Sequence, residues 1–485
     1  MNDEPIEFIV HRSSFIVMLN LGHFLEVLTT YETTGHEPAV SCVVVDSREA
    51  VPGSLFVALP GEHEDGHDFV LQAFANGAIA AIVSRPLPGC TTLNLRAGQP
   101  VPEVAFELPL CLLVDDTVAA MQAAAQAWRA RFNTRVVGIT GSVGKSSTKE
   151  LIHSVLSRQY RTLKSPGNRN SVLGLPPVLL ELRPFHEYAV LEMGMYTPGE
   201  IARLCEMARP VVGVVTIVGP VHLERAGSLE AIVAAKQELV ESLPANGTAV
   251  LNYDDERVMG MAAHTQARIF TYGLNPRADL WANNIRSMGL EGIRFTLHYG
   301  QEALSVQVPL IGRHSVHTAL RATAVGLVEG LSWDKIISGL ADSRAQLRLV
   351  AVPGPRGSTI IDDTYNSSPD SAMAALNLLQ DLDGRRLAVL GDMLELGYME
   401  EEGHRLVGRR AAGVAQVLVT VGPRGRWIGE EALTVGMARD RVFMVEDVET
   451  AVSTLQEIIA PQDMILIKGS LGMKMSRIVA ALGEG

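Results

Sequence analysis

The stretch TRVVGITGSVGKSSTKE, residues 134–150, constrains the chain more than any other. Its mostly β-branched apolar run, Val136 to Ile139, predicts a strand. A loop punctuated by Gly141 and Gly144 follows, and then Leu151, Ile152, Val155 and Leu156 fall at helical spacing. Strand, glycine loop and helix in that order make a phosphate cradle: glycines let backbone N–H groups turn inward, and the helix start adds the positive end of its dipole. Thr140, Gly141, Ser142, Val143, Gly144, Lys145, Ser146 and Ser147 are the expected nucleotide-binding residues, with Lys145 reaching the terminal phosphates and Ser146 ligating Mg²⁺. The common spacing has a glycine five residues before the Gly-Lys pair. Here that position is Ile139, so the loop is a shortened TGxxGKSS form.

A chain of 485 residues is too long for one core, and its patterning predicts three α/β domains. Residues 1–110 read as a small α/β domain, with strands at Val43–Val45, Leu55–Leu59 and Ala78–Val83 and a polar loop from Gly61 to Asp68. Residues 111–340 read as a central P-loop domain. A helix from Val114 to about Phe132 leads into the loop, strands follow at Tyr188–Leu191, Val211–Val218, Ala249–Leu251 and Arg268–Tyr272, and period-two runs at 293–297 and 304–310 append antiparallel strands. From 341 to 485 the alternation restarts, with strands at Thr359–Ile361, Leu387–Leu390, Val417–Val421, Val442–Val445 and Met464–Ile467, as in a Rossmann-like doubly wound domain.

A net charge of −13 argues against nucleic acid or an anionic membrane as partner. The four cysteines, Cys42, Cys90, Cys111 and Cys205, have no paired spacing and read as buried thiols. No apolar run approaches the length of a membrane helix, and the start of the chain lacks the basic residues of a signal peptide. A cytoplasmic monomer acting on small molecules is expected.

Several residues sit where chemistry could happen. Glu192 ends a strand beside the loop, suited either to Mg²⁺ or to plain solvent exposure. His222, just past another strand, is a metal ligand or a structural histidine. Lys236 falls inside the apolar stripe of a helix capped by Ser228, with Leu229, Ile232, Val233, Val240 and Leu243. It either snorkels outward along its stem or is buried as a neutral amine able to capture CO₂ as a carbamate and hold a second Mg²⁺. In the last domain Asp363, Tyr365 and Asn366 follow a strand, as do the segments 391–397 and 468–470.

With these pieces together the chain resembles the Mur ligase family over nearly its whole length. ITGSVGKSSTKE resembles the family's nucleotide loop, SPGNRNS at 165–171 its substrate loop, LEMG and GPVHLERAGS its metal-site segments, and VAAKQEL the segment of its modified lysine. DSREAVPGSLFVALPGEHEDGHDF resembles its uridine-nucleotide-binding domain, and DDTYNSSPDS and LGDMLELG resemble signatures of the dipeptide-adding member. The resemblance implies ATP-dependent ligation of D-alanyl-D-alanine to UDP-N-acetylmuramoyl-tripeptide through an acyl phosphate, giving the pentapeptide precursor of peptidoglycan, ADP and phosphate. It implies catalytic roles for Lys145, Glu192, His222 and Lys236. Ser146, Glu192, His222 and carbamylated Lys236 would hold two Mg²⁺. Arg313, Asp363, Tyr365 and Asn366 would contact ATP, and Asp46, Ser47, Arg48, Gly61, Asp65, Gly66, His67, Asn168 and Asn170 would contact the UDP-sugar substrate. The chain departs from the family's pattern at Ser171, Ile217 and Thr318, where asparagine is frequent, and at Leu471, where arginine is common. An amide ligase with a different amine, or a nucleotide-binding regulator without ligase chemistry, would share the loop.

Overall fold

The computed structural model describes residues 18–61, 64–96, 106–221, 223–342 and 350–483. Three sheets carry the strands. The first comprises β1 (Val43–Val44), β2 (Leu55–Val57), β3 (Ala80–Val83), β4 (Thr91–Asn94) and β5 (Leu110–Leu113), all parallel, in the order β1-β2-β3-β5-β4. β2, β3 and β5 are buried along their whole length, so they read as unbroken apolar runs. β4 is a largely exposed edge, and its polar Thr-Thr start hid it from the apolar pattern.

The second sheet holds β6 (Arg135–Thr140), β7 (Thr162–Lys164), β8 (Tyr188–Glu192), β9 (Val212–Val215), β10 (Thr248–Asn252), β11 (Arg268–Gly273), β12 (Leu280–Ser287), β13 (Ile293–Tyr299) and β14 (Glu302–Val308). Their order is β14-β13-β12-β11-β10-β9-β6-β8-β7, parallel from β7 across to β12 and antiparallel among β12, β13 and β14. β6 therefore lies between β8 and β9, where the strand order reverses. A crevice opens at the carboxyl end of such a strand. The helix Lys145–Leu156 packs Leu151, Ile152, Val155 and Leu156 into the core with Val137, Val190, Val214 and Val250. Each such side chain contributes roughly 1.5–3 kcal/mol, and together they fix the end of β6.

The third sheet is β15 (Val350–Pro353), β16 (Thr359–Asp363), β17 (Arg386–Gly391), β18 (Val417–Val421), β19 (Val442–Val445) and β20 (Met464–Lys468), in the order β15-β16-β20-β17-β18-β19, with β15 alone antiparallel. Three α/β sheet systems with antiparallel strands appended to the second agree with the fold expected from the sequence.

The chain forms two compact units: Met1–Asn133 with Pro176–Glu187, and Thr134–Leu175 with Tyr188–Gly485. The first sheet belongs to the first unit and the other two sheets to the second. The helix Thr117–Ala130, assigned from sequence to the head of a central segment beginning at residue 111, lies in the first unit. The reason is its buried face: Trp128 donates Nε1–H to the Leu182 carbonyl at 3.1 Å and packs against His23 and Phe132. Of the cysteines, Cys111 and Cys205 are buried, whereas Cys42 and Cys90 are half-buried. Among the described residues no helix is long and apolar enough to cross a membrane.

His23 gives this unit a pH dependence. Its ring is buried and lies 2.8 Å from the Ala124 carbonyl, to which Nε2–H donates, and among the described residues Nδ1 has no partner. Burial lowers its pKa to about 4. The ring stays neutral in the fold but protonates in the unfolded chain below about pH 6.5, so its contribution is intact above that pH and is lost as pH falls toward 4. A shift of this size is worth roughly 3 kcal/mol. Urea midpoints measured from pH 7 down to 4.5 are expected to fall more steeply for the native chain than for His23→Gln, which cannot ionise; parallel slopes would contradict this.

Candidate active site

The loop after β6 has the backbone that its glycines allow. Gly141 has φ 141° and Gly144, in the left-handed region at φ 84°, precedes the helix Lys145–Leu156 without any side-chain cap. With no side chain capping it, that helix start is a place where N–H groups and the helix dipole favour an anion. The Lys145 ammonium lies across the loop, 2.7 Å from the Gly141 carbonyl. A second segment clamps the loop. Ser142 N–H donates to Ile217 O at 2.7 Å, the Thr216 hydroxyl donates to Val143 O at 2.7 Å, and Ser142 Oγ donates to Gly219 O and accepts from Gly219 N–H, both at 2.9 Å. The strand expected over 211–218 stops at Val215; beyond it Thr216, Ile217 and Gly219 bond the loop, and Val218 N–H donates to Asp255.

Glu192, the last residue of β8, is 1% exposed, which excludes the solvent-facing alternative. One carboxylate oxygen accepts the Ser146 hydroxyl at 2.5 Å and the other accepts Asn170 Nδ2–H at 2.8 Å. Nucleotide helix and 165–171 loop therefore meet on one acidic side chain. Sequence reasoning missed Lys149, a fully buried ammonium that donates to Gly167 O at 2.9 Å and stands 3.4 Å from Glu150 and 3.9 Å from Glu192. Nothing in its local sequence, a lysine beside Glu150 on a helix, marks it as buried.

Lys236 is buried on the inner face of the helix Leu229–Glu241, whose Ser228 cap accepts the Ala231 N–H at 3.1 Å. It does not snorkel to solvent. Burial first, and then the positive charge of Lys145, hold its amine well below the ordinary lysine range. A desolvated amine near the Lys145 charge is disposed to be neutral. His222 lies outside the described residues. Among the described residues no three His, Cys, Asp or Glu side chains converge on one point, so the local donor set is Ser146 with Glu192.

The last sheet gathers its polar residues at its carboxyl ends. Asp363 at the end of β16 accepts Lys468 Nζ at 2.7 Å from the end of β20, and the same ammonium donates to Asn366 O at 2.8 Å. Tyr365 is half-buried, Asn366 exposed, and Arg313 exposed at the start of a short turn Arg313–Ser315. Asp392, just past β17, is buried and accepts the N–H groups of Arg424 and Gly425 at 3.0 and 2.6 Å, so its segment is anchored structure.

In the first unit Asp46 caps the turn Ser47–Glu49 and pairs with Arg48 at 2.6 Å, and Ser47 bonds Gln72 at 3.1 Å. Asp65 caps the turn Gly66–Phe69 and takes the Nδ1–H of buried His67 at 2.6 Å, while His67 Nε2 accepts Ser84 N–H at 2.8 Å. Gly61 and Gly66 are glycines of close approach: a Cβ would fall 2.4 Å from Glu64 O and 2.6 Å from Leu59 N, respectively. Asp65, His67 and Ser84 thus form a hydrogen-bonded cluster. Asn168 is exposed on the 165–171 loop of the second unit.

A glycine loop at the switch point of a parallel sheet, with a buried Ser–Glu pair and a buried lysine around it, defines a P-loop nucleotide-dependent protein. Three family profiles match the chain: "Mur ligase family, catalytic domain" over residues 39–129, "Mur ligase middle domain" over 139–326 and "Mur ligase, glutamate ligase domain" over 347–471. A Bacillus subtilis (strain 168) protein named UDP-N-acetylmuramoyl-tripeptide--D-alanyl-D-alanine ligase is 36% identical over 446 residues, 91% of this chain and 93% of its own. The crystal structure of MurF from Acinetobacter baumannii is similar with a TM-score of 0.81 at 29% identity, covering 97% of this chain and 100% of that one. MurF ligase from Thermotoga maritima in complex with ADP gives a TM-score of 0.74 at 27% identity, over 91% and 97%. The chain belongs to the Mur ligase family.

Proposed function

We propose that this protein joins D-alanyl-D-alanine to UDP-N-acetylmuramoyl-tripeptide at the expense of ATP. The observation that carries the reading is the Ser146–Glu192–Asn170 junction, together with buried Lys236, in a chain similar over 91% of its length to a ligase of that name. The loop Thr140–Ser147 takes the triphosphate, with Lys145 on its terminal oxygens. Arg313, Asp363, Tyr365 and Asn366 contact the same nucleotide. Asp46, Ser47, Arg48 and the cluster Gly61, Asp65, Gly66 and His67 read the UDP-sugar, and Asn168 and Asn170 its peptide end. In this reading the chain acts in the cytoplasm as a monomer on small molecules.

The tripeptide carboxylate attacks the γ-phosphorus of ATP and ADP leaves. The amine of the dipeptide then attacks the acyl carbon of the acyl phosphate, and phosphate leaves. The buried Ser146 hydroxyl and Glu192 carboxylate fit Mg²⁺, a hard cation that takes one or two carboxylates beside phosphate oxygens and would neutralise charge on the transferring group. The neutral Lys236 amine forms a bond to the carbon of CO₂ and releases one proton to water. The resulting carbamate would place a negative charge near Lys145 and, with His222, would supply oxygen and nitrogen donors for a second Mg²⁺. Lys145 orients the γ-phosphoryl group by charge and hydrogen bonding.

The test offers the protein ATP, Mg²⁺ and UDP-N-acetylmuramoyl-tripeptide with D-alanyl-D-alanine or with single amino acids. Phosphate release is expected only with the dipeptide, together with a product heavier by the dipeptide less water. Equal release with a single amino acid would refute the choice of amine, and no release with any amine would refute the ligase reading.

A further inference from the structure

Arg321 is a buried cation with no carboxylate paired to it among the described residues. It lies on the helix Val316–Val328, is 5% exposed, and takes part in no ion pair among the described residues. A guanidinium keeps its charge in any protein environment, so its burial without an anion is costly unless an anion arrives. Its Nη2 donates to the Thr318 hydroxyl at 2.8 Å, its Cζ lies 5.9 Å from the centroid of the Tyr272 ring, and its Nε has no partner. The two carboxylates that share the surroundings of Tyr272 are engaged elsewhere: Asp254 accepts from His317, Leu274 and Asn275, and Asp255 from Val218 and Arg257. What the guanidinium faces is the phosphate loop. A Cβ on Gly144, the residue that starts the nucleotide helix, would sit 3.2 Å from Nη2 and 3.8 Å from both Cζ and Nη1.

We propose that Arg321 is a positioning residue of the nucleotide site: held by Thr318 and the Tyr272 ring against Gly144, its guanidinium gives the loop a fixed positive charge that favours polyphosphate. The proposal rests on the reading that the Thr140–Ser147 loop binds a nucleoside triphosphate. Charge of one sign set behind a loop, inside low-dielectric walls, raises the affinity for anions of the other sign and does so more for more highly charged ligands. Thr318, which stands where the family often has asparagine, has a defined task here as the acceptor that orients the arginine.

Binding of ATP, ADP and AMP to the native chain and to R321M, R321K and T318V, followed by calorimetry without any turnover, separates the possibilities. R321M is expected to weaken ATP about tenfold, ADP about fivefold and AMP about twofold, with R321K recovering most of the loss. T318V, which frees the guanidinium, should weaken ATP about threefold. An equal loss for all three nucleotides, or none, would overturn the charge role and leave Arg321 a packing residue. Should R321M fail to fold, T318V and R321K carry the same test, and unchanged ATP affinity in T318V would overturn the positioning. Failure of the native chain itself to bind ATP would instead refute the nucleotide reading.

Discussion

Lys236→Ala is expected to lower ligation by at least about 10³-fold while changing ATP affinity by no more than about twofold. The amine is buried on the inner stripe of its helix, its charged form is opposed by desolvation and by Lys145, and the neutral form that results is the one able to add CO₂. On the proposed carbamate role, removing it would remove that anion but none of the backbone donors of the loop, which is why binding and turnover should separate. Native activity should also fall in buffer stripped of CO₂ and return on adding bicarbonate. A second consequence concerns stability. In the unfolded chain the lysine is protonated below about pH 10.4, so folding at neutral pH must discharge it, and that cost shrinks as pH rises toward the unfolded value. Lys236→Met should therefore raise the melting temperature by roughly 2–4 °C at pH 7 and by less at pH 9. Full ligase activity in either variant would refute the carbamate role.

Local pattern exposes whatever is set by a single element. The phosphate loop was legible because its glycines and flanking strand and helix lie in one stretch, Glu192 because it closes an apolar run, and Lys236 because a lysine interrupts a helical stripe. What depends on contacts between distant segments was not legible. Lys149 looks like a surface lysine until the Gly167 carbonyl closes over it, and Arg321 is a helix arginine until Gly144 and Thr318 enclose it. β7, with three half-buried residues at the sheet edge, carries too little apolar signal to declare itself. β12 hides for another reason: Asn284 sits at φ 53° and the register with β13 shifts after Asn283, which breaks the period of two. The helix Thr117–Ala130 was recognised, but its allegiance to the first unit comes from Trp128 and His23, a contact a hundred residues long in sequence that no local period reveals.

Gly141→Ala should abolish nucleotide binding, weakening ADP by at least about 100-fold, and destabilise the fold by roughly 1–3 kcal/mol. Two constraints coincide at this position. The backbone at φ 141° suits glycine, and a Cβ would fall 1.8 Å from Thr216 Oγ1, 3.0 Å from its Cβ and 3.1 Å from its N. Thr216 cannot give way cheaply. Its hydroxyl donates to Val143 O at 2.7 Å, and its carbonyl accepts Asn252 Nδ2–H and the Tyr272 hydroxyl, both at 3.0 Å. The strain must then be relieved by the loop itself, which moves the N–H groups that face the phosphate. Gly199→Ala is the fitting control, because Gly199 has φ 91° but nothing within 4 Å of an added Cβ, so it reports backbone strain without a clash. That variant should lose about 1 kcal/mol of stability and keep ADP binding. Adding Thr216→Ala to Gly141→Ala removes the 1.8 Å overlap but leaves the backbone contacts, so stability should recover in part and binding hardly at all. ADP affinity in Gly141→Ala equal to that of the native chain would mean that the phosphates are held elsewhere than on this loop.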